Sequence, residues 1–195
     1  MAKKSAIAGS PVLAADRIRK TARELFYREG IRAVGVDEIV AKAGVTKPSL
    51  YRSFPSKDEL AAAYLRDYDG EFWARFDHSA AKHPNDPKAQ MLDYLAGLAK
   101  RAQRDDYRGC GLTNAAVEYP AQDHPARKVA EDHKLRLRMR LAEMAKGMGA
   151  KKPDVLADGL LLLIEGIFVS GQLFGEGGPA MHAPEIAEIM IEASR

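Results

Sequence analysis

Residues 36–53 read VDEIVAKAGVTKPSLYRS. The apolar positions of this stretch recur at the spacing that buries one side of two short helices: Val36, Ile39, Val40, Ala43, Val45 and Leu50. Gly44 falls where the chain must reverse, in a backbone conformation that is cheap for glycine alone. Thr46 can cap the second helix, and Pro48 fits its first turn. The stretch therefore predicts a helix-turn-helix, with one helix over residues 36–43 and a second over about 47–53.

The flanking sequence supplies the helices that such a motif packs against. Residues 12–29 carry an apolar stripe at helical spacing and end before Gly30, as expected for a first helix. Residues 56–59 read SKDE, which is a capping box. A long fourth helix is therefore predicted from residue 56 to about residue 81.

The remaining sequence predicts further helices and no strands. Helical patterns cover about 88–103, 110–118, 124–147, 153–174 and 184–193, separated by proline- and glycine-rich breaks such as 83–87 and 175–179. Alternating β-branched residues, which are typical of strands, are missing. We predict an all-α protein with about nine helices. An N-terminal arm and a three-helix, helix-turn-helix domain would occupy residues 1–55, and a larger C-terminal helical bundle residues 56–195.

Charge is concentrated at the N-terminal end. Residues 1–57 contain 12 Lys/Arg and 5 Asp/Glu, whereas the remaining residues carry a net negative charge. Such an asymmetry indicates a polyanionic partner. The face opposite Leu50 is polar and cationic, as a helix in a DNA major groove must be, and consists of Thr46, Lys47, Ser49, Tyr51, Arg52 and Ser53. Lys57 is placed for a phosphate at a helix N-terminus, while Arg17, Lys42 and the Lys3-Lys4 arm could add backbone contacts.

Residues 17–60 resemble the DNA-binding domain of the TetR/AcrR family of bacterial transcriptional regulators. The resemblance rests on Gly44-Val45, Leu50-Tyr51, Phe54 and residues 57–60 (KDEL), all in one register. It implies an all-helical homodimer that contacts DNA through Thr46, Lys47, Ser49, Tyr51 and Arg52, with a phosphate at Lys57. Two positions depart from the family pattern: Gly35 replaces the usual Ser or Thr, and Val40 the usual alanine.

The family resemblance also implies an effector pocket and a dimer interface in the C-terminal domain. Six residues are candidates for lining the pocket, although each also suits an ordinary core position: Trp73, Phe76, Tyr94, Cys110, Asn114 and Tyr119. Residues 155–174 are apolar nearly all round, so they must be buried on every side. Together with Ile186, Ile189 and Met190 they would form the dimer interface. Burial within one subunit is the alternative.

Several classes of protein are excluded by the sequence. Cys110 is the sole cysteine, which rules out an intrachain disulfide or multi-cysteine metal site and favours a reducing, cytoplasmic compartment. The five histidines lack metal-ligand spacing, so neither metal nor cofactor is expected. The longest apolar run is too short and interrupted to span a membrane.

The expected function is that of a ligand-responsive, sequence-specific DNA-binding regulator. Repression is the more frequent mode in the family, with release from a palindromic DNA operator by a small-molecule effector. The alternatives are a helical-bundle enzyme and a non-specific DNA-binding protein. An enzyme is not expected, because the sequence has no glycine-rich phosphate loop, paired carboxylates with an aligned histidine, or nucleophile beside a base.

Overall fold

The computed structural model describes residues 11–195, and side chains from residue 13 onward; the Lys3-Lys4 arm lies outside this range. The described chain forms nine α-helices and one short 3-10 helix, with no strands. The α-helices are α1 (Pro11–Glu29), α2 (Val36–Ala43), α3 (Lys47–Ser53), α4 (Lys57–Lys82), α5 (Pro87–Arg101), α6 (Gly111–Glu118), α7 (Pro125–Gly147), α8 (Pro153–Phe174) and α9 (Ala183–Ser194). The predicted all-α class is confirmed.

The helix boundaries agree closely with those expected from sequence. Helices α2, α3 and α8 have the predicted limits, and the others differ by at most two residues at either end. One element was not predicted: the 3-10 helix Pro179–His182 follows the 175–179 break. A single short turn of this kind has no apolar periodicity by which to recognise it.

Capping interactions fix the helix-turn-helix. Gly44 adopts the left-handed conformation (φ 61°, ψ 41°), and the amide of Val45 donates to the carbonyl of Val40 (3.0 Å), which satisfies an orphan group at the end of α2. Thr46 accepts from the amide of Ser49 (3.4 Å) at the start of α3. These contacts set the direction in which α3 leaves the turn.

A shared hydrophobic core joins α1, α2 and α3. Ile18, Ile39 and Leu50 have no exposed surface and belong to one apolar cluster that continues into α4 and the C-terminal helices. Two exposed ion pairs also connect α1 to α4, Arg19 with Asp67 and Arg23 with Glu71. The helix-turn-helix is thus seated on α4 through α1.

The C-terminal body is built around α7, which packs against α4, α6 and α8, while α5 packs against α4 and α9. No helix of the described chain is long and apolar enough to cross a membrane.

Candidate nucleic-acid interface

Helix α3 presents a polar outer side because its inner side is anchored by one apolar residue. Leu50 is fully buried, whereas Lys47 and Arg52 are exposed and Tyr51 is 47% exposed. Ser49 is half-buried and lies in the first turn. The predicted arrangement of these side chains around Leu50 is therefore present in the structure.

Three of the cations predicted to contact DNA have partners within the protein. Lys47 pairs with Asp37 (2.6 Å) and Lys42 with Glu38 (2.9 Å). Arg17 donates to the carbonyl groups of Ala43 and Gly44, so it closes the end of α2. These Lys47 and Lys42 pairs are exposed, and a phosphate can replace the carboxylate because exposed pairs contribute little free energy.

Arg52 differs from these cations. It is exposed, and its guanidinium forms no ion pair or hydrogen bond with any residue between 11 and 195. All of its guanidinium donors are available, and a guanidinium can bind a phosphate or the N7 and O6 atoms of guanine in a bidentate manner. Arg52 is consequently the residue of α3 best suited to reading DNA.

Lys57 lies in the first turn of the 26-residue helix α4, where free amides and the helix dipole favour an anion. Its Nζ donates to the carbonyl of Arg32 (3.3 Å), which holds the side chain across the α1–α2 loop. Partial burial lowers the pKa of Lys57. A nearby phosphate would restore that pKa, because an anion favours the charged amine.

A cavity of about 340 Å³ lies between α1 and the C-terminal helices. Its lining comes from α1, α4, α5, the loop before α6, and α8. Five of the chain's seven tyrosines contribute: Tyr27, Tyr64, Tyr68, Tyr94 and Tyr107. Because α1 forms one wall, a bound molecule would touch the DNA-binding unit directly.

Of the six predicted pocket residues, only Tyr94 lines this cavity. Phe76 is buried against Phe72 and Tyr94, and Cys110 is buried at the start of α6. The side-chain amide of Asn114 donates to the carbonyl of Arg108 (2.8 Å).

The other two predicted pocket residues lie near the surface. Trp73 donates to Asp69 (2.9 Å) beneath the guanidinium of Arg136. Tyr119 stacks on His124 with ring centroids 3.8 Å apart, and burial raises its pKa to about 12. Neither residue lines the cavity described above.

Sequence reasoning missed Tyr27, Tyr64, Tyr68, Tyr107 and Arg101, which line the cavity. The sequence holds a partial signal: Tyr64 and Tyr68 are four residues apart on α4, and so share one face of that helix. Nothing in the sequence shows that this face meets Tyr27 of α1.

The chain is similar in sequence and structure to one family of bacterial regulators. The model of the family described as "Bacterial regulatory proteins, tetR family" matches residues 18–64, which include α2, the turn and α3. The crystal structure of SCO4454, a TetR-family transcriptional regulator from Streptomyces coelicolor, is 28% identical, covers 94% of each chain and superposes with a TM-score of 0.83. Residues 18–64 thus form a TetR-family domain, and the chain as a whole is similar to a TetR-family regulator.

Two curated relatives carry the same kind of name. The HTH-type transcriptional repressor ComR of Escherichia coli is 27% identical over 51% of this chain and 48% of its own length. The uncharacterized HTH-type transcriptional regulator YxaF of Bacillus subtilis is 32% identical over 58% of this chain and 60% of its own length. The chain thus spans about half to three fifths of the length of these curated relatives.

These similarities confirm the resemblance and the expectation that the chain is not an enzyme. The family model describes bacterial regulatory proteins, the solved structure is a transcriptional regulator, and the curated relatives are named HTH-type transcriptional regulators. The TetR-family domain coincides with α1–α3 and the first turns of α4.

Proposed function

We propose that this TetR-family regulator binds a palindromic DNA operator as a homodimer and represses transcription until a small-molecule effector releases it. The observation that carries the proposal is the outer side of α3, where the unpaired Arg52 and the exposed Tyr51 come shortly before Lys57 at the start of α4. ComR, a relative, is named a repressor, which supports the sign of regulation. Such a protein would act in the cytoplasm, where the DNA lies.

The domain division proposed from sequence, with a boundary near residue 55, suits this function. Residues 1–55 would supply the DNA contacts and residues 56–195 the cavity and the dimer interface. Ser56 caps α4 by accepting from the amide of Glu59 (3.1 Å), so the boundary falls at a helix start. The two units share a core through α1 and α4, so that a structural change in one unit can displace the other.

Homodimerisation is supported by an apolar face on α8. Residues recur there with the alternating three- and four-residue spacing of a coiled-coil seam, namely the exposed Val155, Leu162, Gly166, Val169 and Leu173 and the half-buried Gly159, which Met190 of α9 approaches. Leu162 and Leu173 are 72% and 73% exposed. A Cβ at Gly166 would meet nothing, so a partner helix can approach closely. Ile189 of α9 adds a further exposed apolar side chain.

A row of large apolar side chains exposed on one helix face commonly marks a protein interface. A second copy matches this face in chemistry, because a two-fold axis places the same apolar seam on both sides of the interface. A dimer would carry two α3 helices, and operator half-sites would then be spaced by multiples of about 34–36 Å. The proposed palindrome follows from this symmetry.

The first test is selection of DNA from a random-sequence pool at about 150 mM salt, where specific regulators still bind. An enriched palindrome is the expected result. Enrichment of no sequence, with binding that depends only on DNA length, would instead favour the alternative of a non-specific DNA-binding protein.

Variants then test which residues make the contacts. We expect Arg52→Ala to weaken operator binding by about 1–3 kcal/mol per lost base contact. Lys57→Ala should weaken binding to all DNA sequences alike. In a dimer it should also reduce the slope of log affinity against log salt concentration by about two, one for each lost phosphate contact. Arg66→Ala is the matched control, since Arg66 is also exposed but lies more than two turns further along α4. If Arg52→Ala, Lys57→Ala and Arg66→Ala changed operator affinity equally, the proposed DNA-binding site would be excluded.

A further inference from the structure

Arg101 is a cation of the cavity without a counter-charge. It lies in the last turn of α5 and is half-buried, and burial lowers its pKa. No carboxylate in residues 13–195 forms an ion pair or hydrogen bond with it. Because a partly buried charge with no partner destabilises the folded protein, an unpaired guanidinium at a cavity indicates an anionic ligand.

The acidic residues around the cavity do not supply that missing charge. Glu71 is bound by Arg23 and also lies 3.5 Å from Arg75. Glu24 and Asp106 line the cavity but are exposed, so water screens them. The partly buried part of the cavity therefore carries a net positive charge.

Two tyrosine hydroxyl groups of the cavity are also unsatisfied. The Oη atoms of Tyr64 and Tyr107 are buried and have no hydrogen-bond partner in the described chain. Tyr64 as a whole is only 4% exposed. Buried hydroxyls nearly always have partners, and a phenol that lacks one can donate to an anion.

Neighbouring hydroxyls are already engaged. Tyr68 donates to the carbonyl of Gly109 (3.2 Å), and Tyr27 accepts from the amide of Arg108 (3.0 Å). Tyr64, Tyr107 and Arg101 all line one cavity, and a small shift of the two tyrosine rings would bring their buried hydroxyls to a ligand there.

Seven of the residues that line the cavity are aromatic, and the space is small. Tyr27 and Tyr68 are stacked with centroids 6.3 Å apart, while Phe72 and Phe168 add apolar surface. A volume of about 340 Å³ lies at the lower end of the range of about 300–1,000 Å³ that is usual for ligand pockets. A ligand of one or two planar rings fits both the size and the ring-lined walls.

We infer that this cavity binds a small aromatic carboxylate, with Arg101 pairing with the carboxylate and the hydroxyls of Tyr64 and Tyr107 donating to it. The further conclusion that this molecule is the effector rests on the proposed function. The molecule would also contact Tyr27 on α1, and so bias the position of the DNA-binding unit. The opposite possibility is an aromatic amine held over tyrosine faces, which the unpaired Arg101 disfavours.

Calorimetric titration of the full chain without DNA tests the binding directly. The probes are benzoate, 4-hydroxybenzoate and 1-naphthoate, together with 1-naphthamide and 1-naphthylmethylammonium, which keep the naphthalene ring but change the charge. We expect at least one carboxylate to bind, and the amide and ammonium probes to bind at least tenfold more weakly than 1-naphthoate. Failure of all three carboxylates to bind, or tighter binding of the ammonium probe, would overturn the inference.

Substitution identifies the residue responsible. Arg101→Gln should lower carboxylate affinity by about 10- to 100-fold, as expected for loss of a charged hydrogen bond, whereas Arg101→Lys should retain part of it. Lys100→Gln is the matched control, because Lys100 is the exposed neighbouring cation and does not line this cavity. Tyr107→Phe should cause a several-fold loss, and circular dichroism checks that each variant is folded. Unchanged affinity in folded Arg101→Gln would exclude the assignment.

Operator binding, measured separately, distinguishes this inference from the proposed function. If the protein binds its operator but none of the carboxylates, the inference fails and the regulator remains. If a carboxylate binds through Arg101 but no operator is found, the site stands and the regulatory function fails.

Discussion

At the scale of single residues, two glycines respond oppositely to the same substitution. Gly44 has a positive φ, and a Cβ there would lie 2.5 Å from the Arg17 guanidinium that closes α2. We expect Gly44→Ala to lower the free energy of unfolding by about 1–2 kcal/mol. In the interior of α4, a Cβ at Gly70 would meet nothing, and Gly70→Ala should raise stability by about 0.5–1 kcal/mol. Urea unfolding measures the change in the free energy of unfolding for both variants. If the two changes had the same sign, this explanation would be contradicted.

His133 makes stability depend on pH. It is buried, with Nδ1 2.6 Å from Asp69. Burial lowers its pKa to about 4 despite that hydrogen bond, and the charges of Lys134 and Arg136 act in the same direction as burial. The unfolded chain takes up the proton near pH 6.5, whereas the folded chain resists protonation until about pH 4. The contribution of neutral His133 is therefore complete above pH 6.5 and declines as the pH falls towards 4.

We expect His133→Gln to reduce the loss of stability between pH 6.5 and pH 4.5, because glutamine can bond to Asp69 without titrating. Urea midpoints at several pH values measure the effect. His78→Gln serves as the control, since His78 is exposed, and it should leave the pH dependence unchanged. If wild type and His133→Gln lose stability in parallel, another group is responsible.

At the scale of elements, α6 connects the cavity with the helix-turn-helix. Before its first turn, the carbonyl of Gly109 accepts from Tyr68 (3.2 Å), which lines the cavity. At its other end, the carboxylate of Glu118 accepts from the amide of Arg32 (2.7 Å), in the loop before α2. A ligand that moves Tyr68 can thus displace the base of the DNA-binding unit through one short helix.

Glu118→Ala should weaken this coupling. We expect the variant to bind operator and effector separately within a few-fold of wild type. It should need more effector for release, because the backbone amide of Arg32 loses its carboxylate acceptor on α6 and only the contact of the Arg32 guanidinium with the carbonyl of residue 118 remains. Fluorescence anisotropy of labelled operator during effector titration measures release. Asp123→Ala, at an exposed loop position, is the control. Wild-type release by Glu118→Ala would mean that coupling runs through α1 instead.

The same elements show what could be predicted from sequence. The α2–α3 turn was found because Gly44, Thr46 and Leu50 act within a few residues of one another, where local geometry decides the outcome. The cavity could not be found in this way, since Tyr27, Tyr94 and Tyr107 come from separate elements. Helical periodicity shows which face of a helix is buried but not which faces meet. Trp73 and Phe76 were equally plausible candidates for this reason.

At the scale of the whole molecule, the exposed seam of α8 links assembly to DNA recognition. One α3 helix reads only a few base pairs, so specificity for a long operator requires two, held at a fixed distance. Leu162 is 72% exposed and lies in the middle of the seam. Leu162→Glu would place two carboxylates close to the two-fold axis, where burial and like-charge repulsion both oppose association.

We therefore expect Leu162→Glu to be a folded monomer at micromolar concentration, with unchanged helical content, and to lose most of its affinity for the palindrome. Loss of the second half-site removes its share of the binding free energy, so the variant should bind a palindrome and a single half-site almost equally well. Analytical ultracentrifugation and operator titration measure the two effects. The control is Val117→Glu on α6, since Val117 is 80% exposed but lies off the seam, and it should remain dimeric. A dimeric Leu162→Glu would place the interface on another face, whereas a monomeric variant that still prefers the palindrome would separate recognition from the α8 interface.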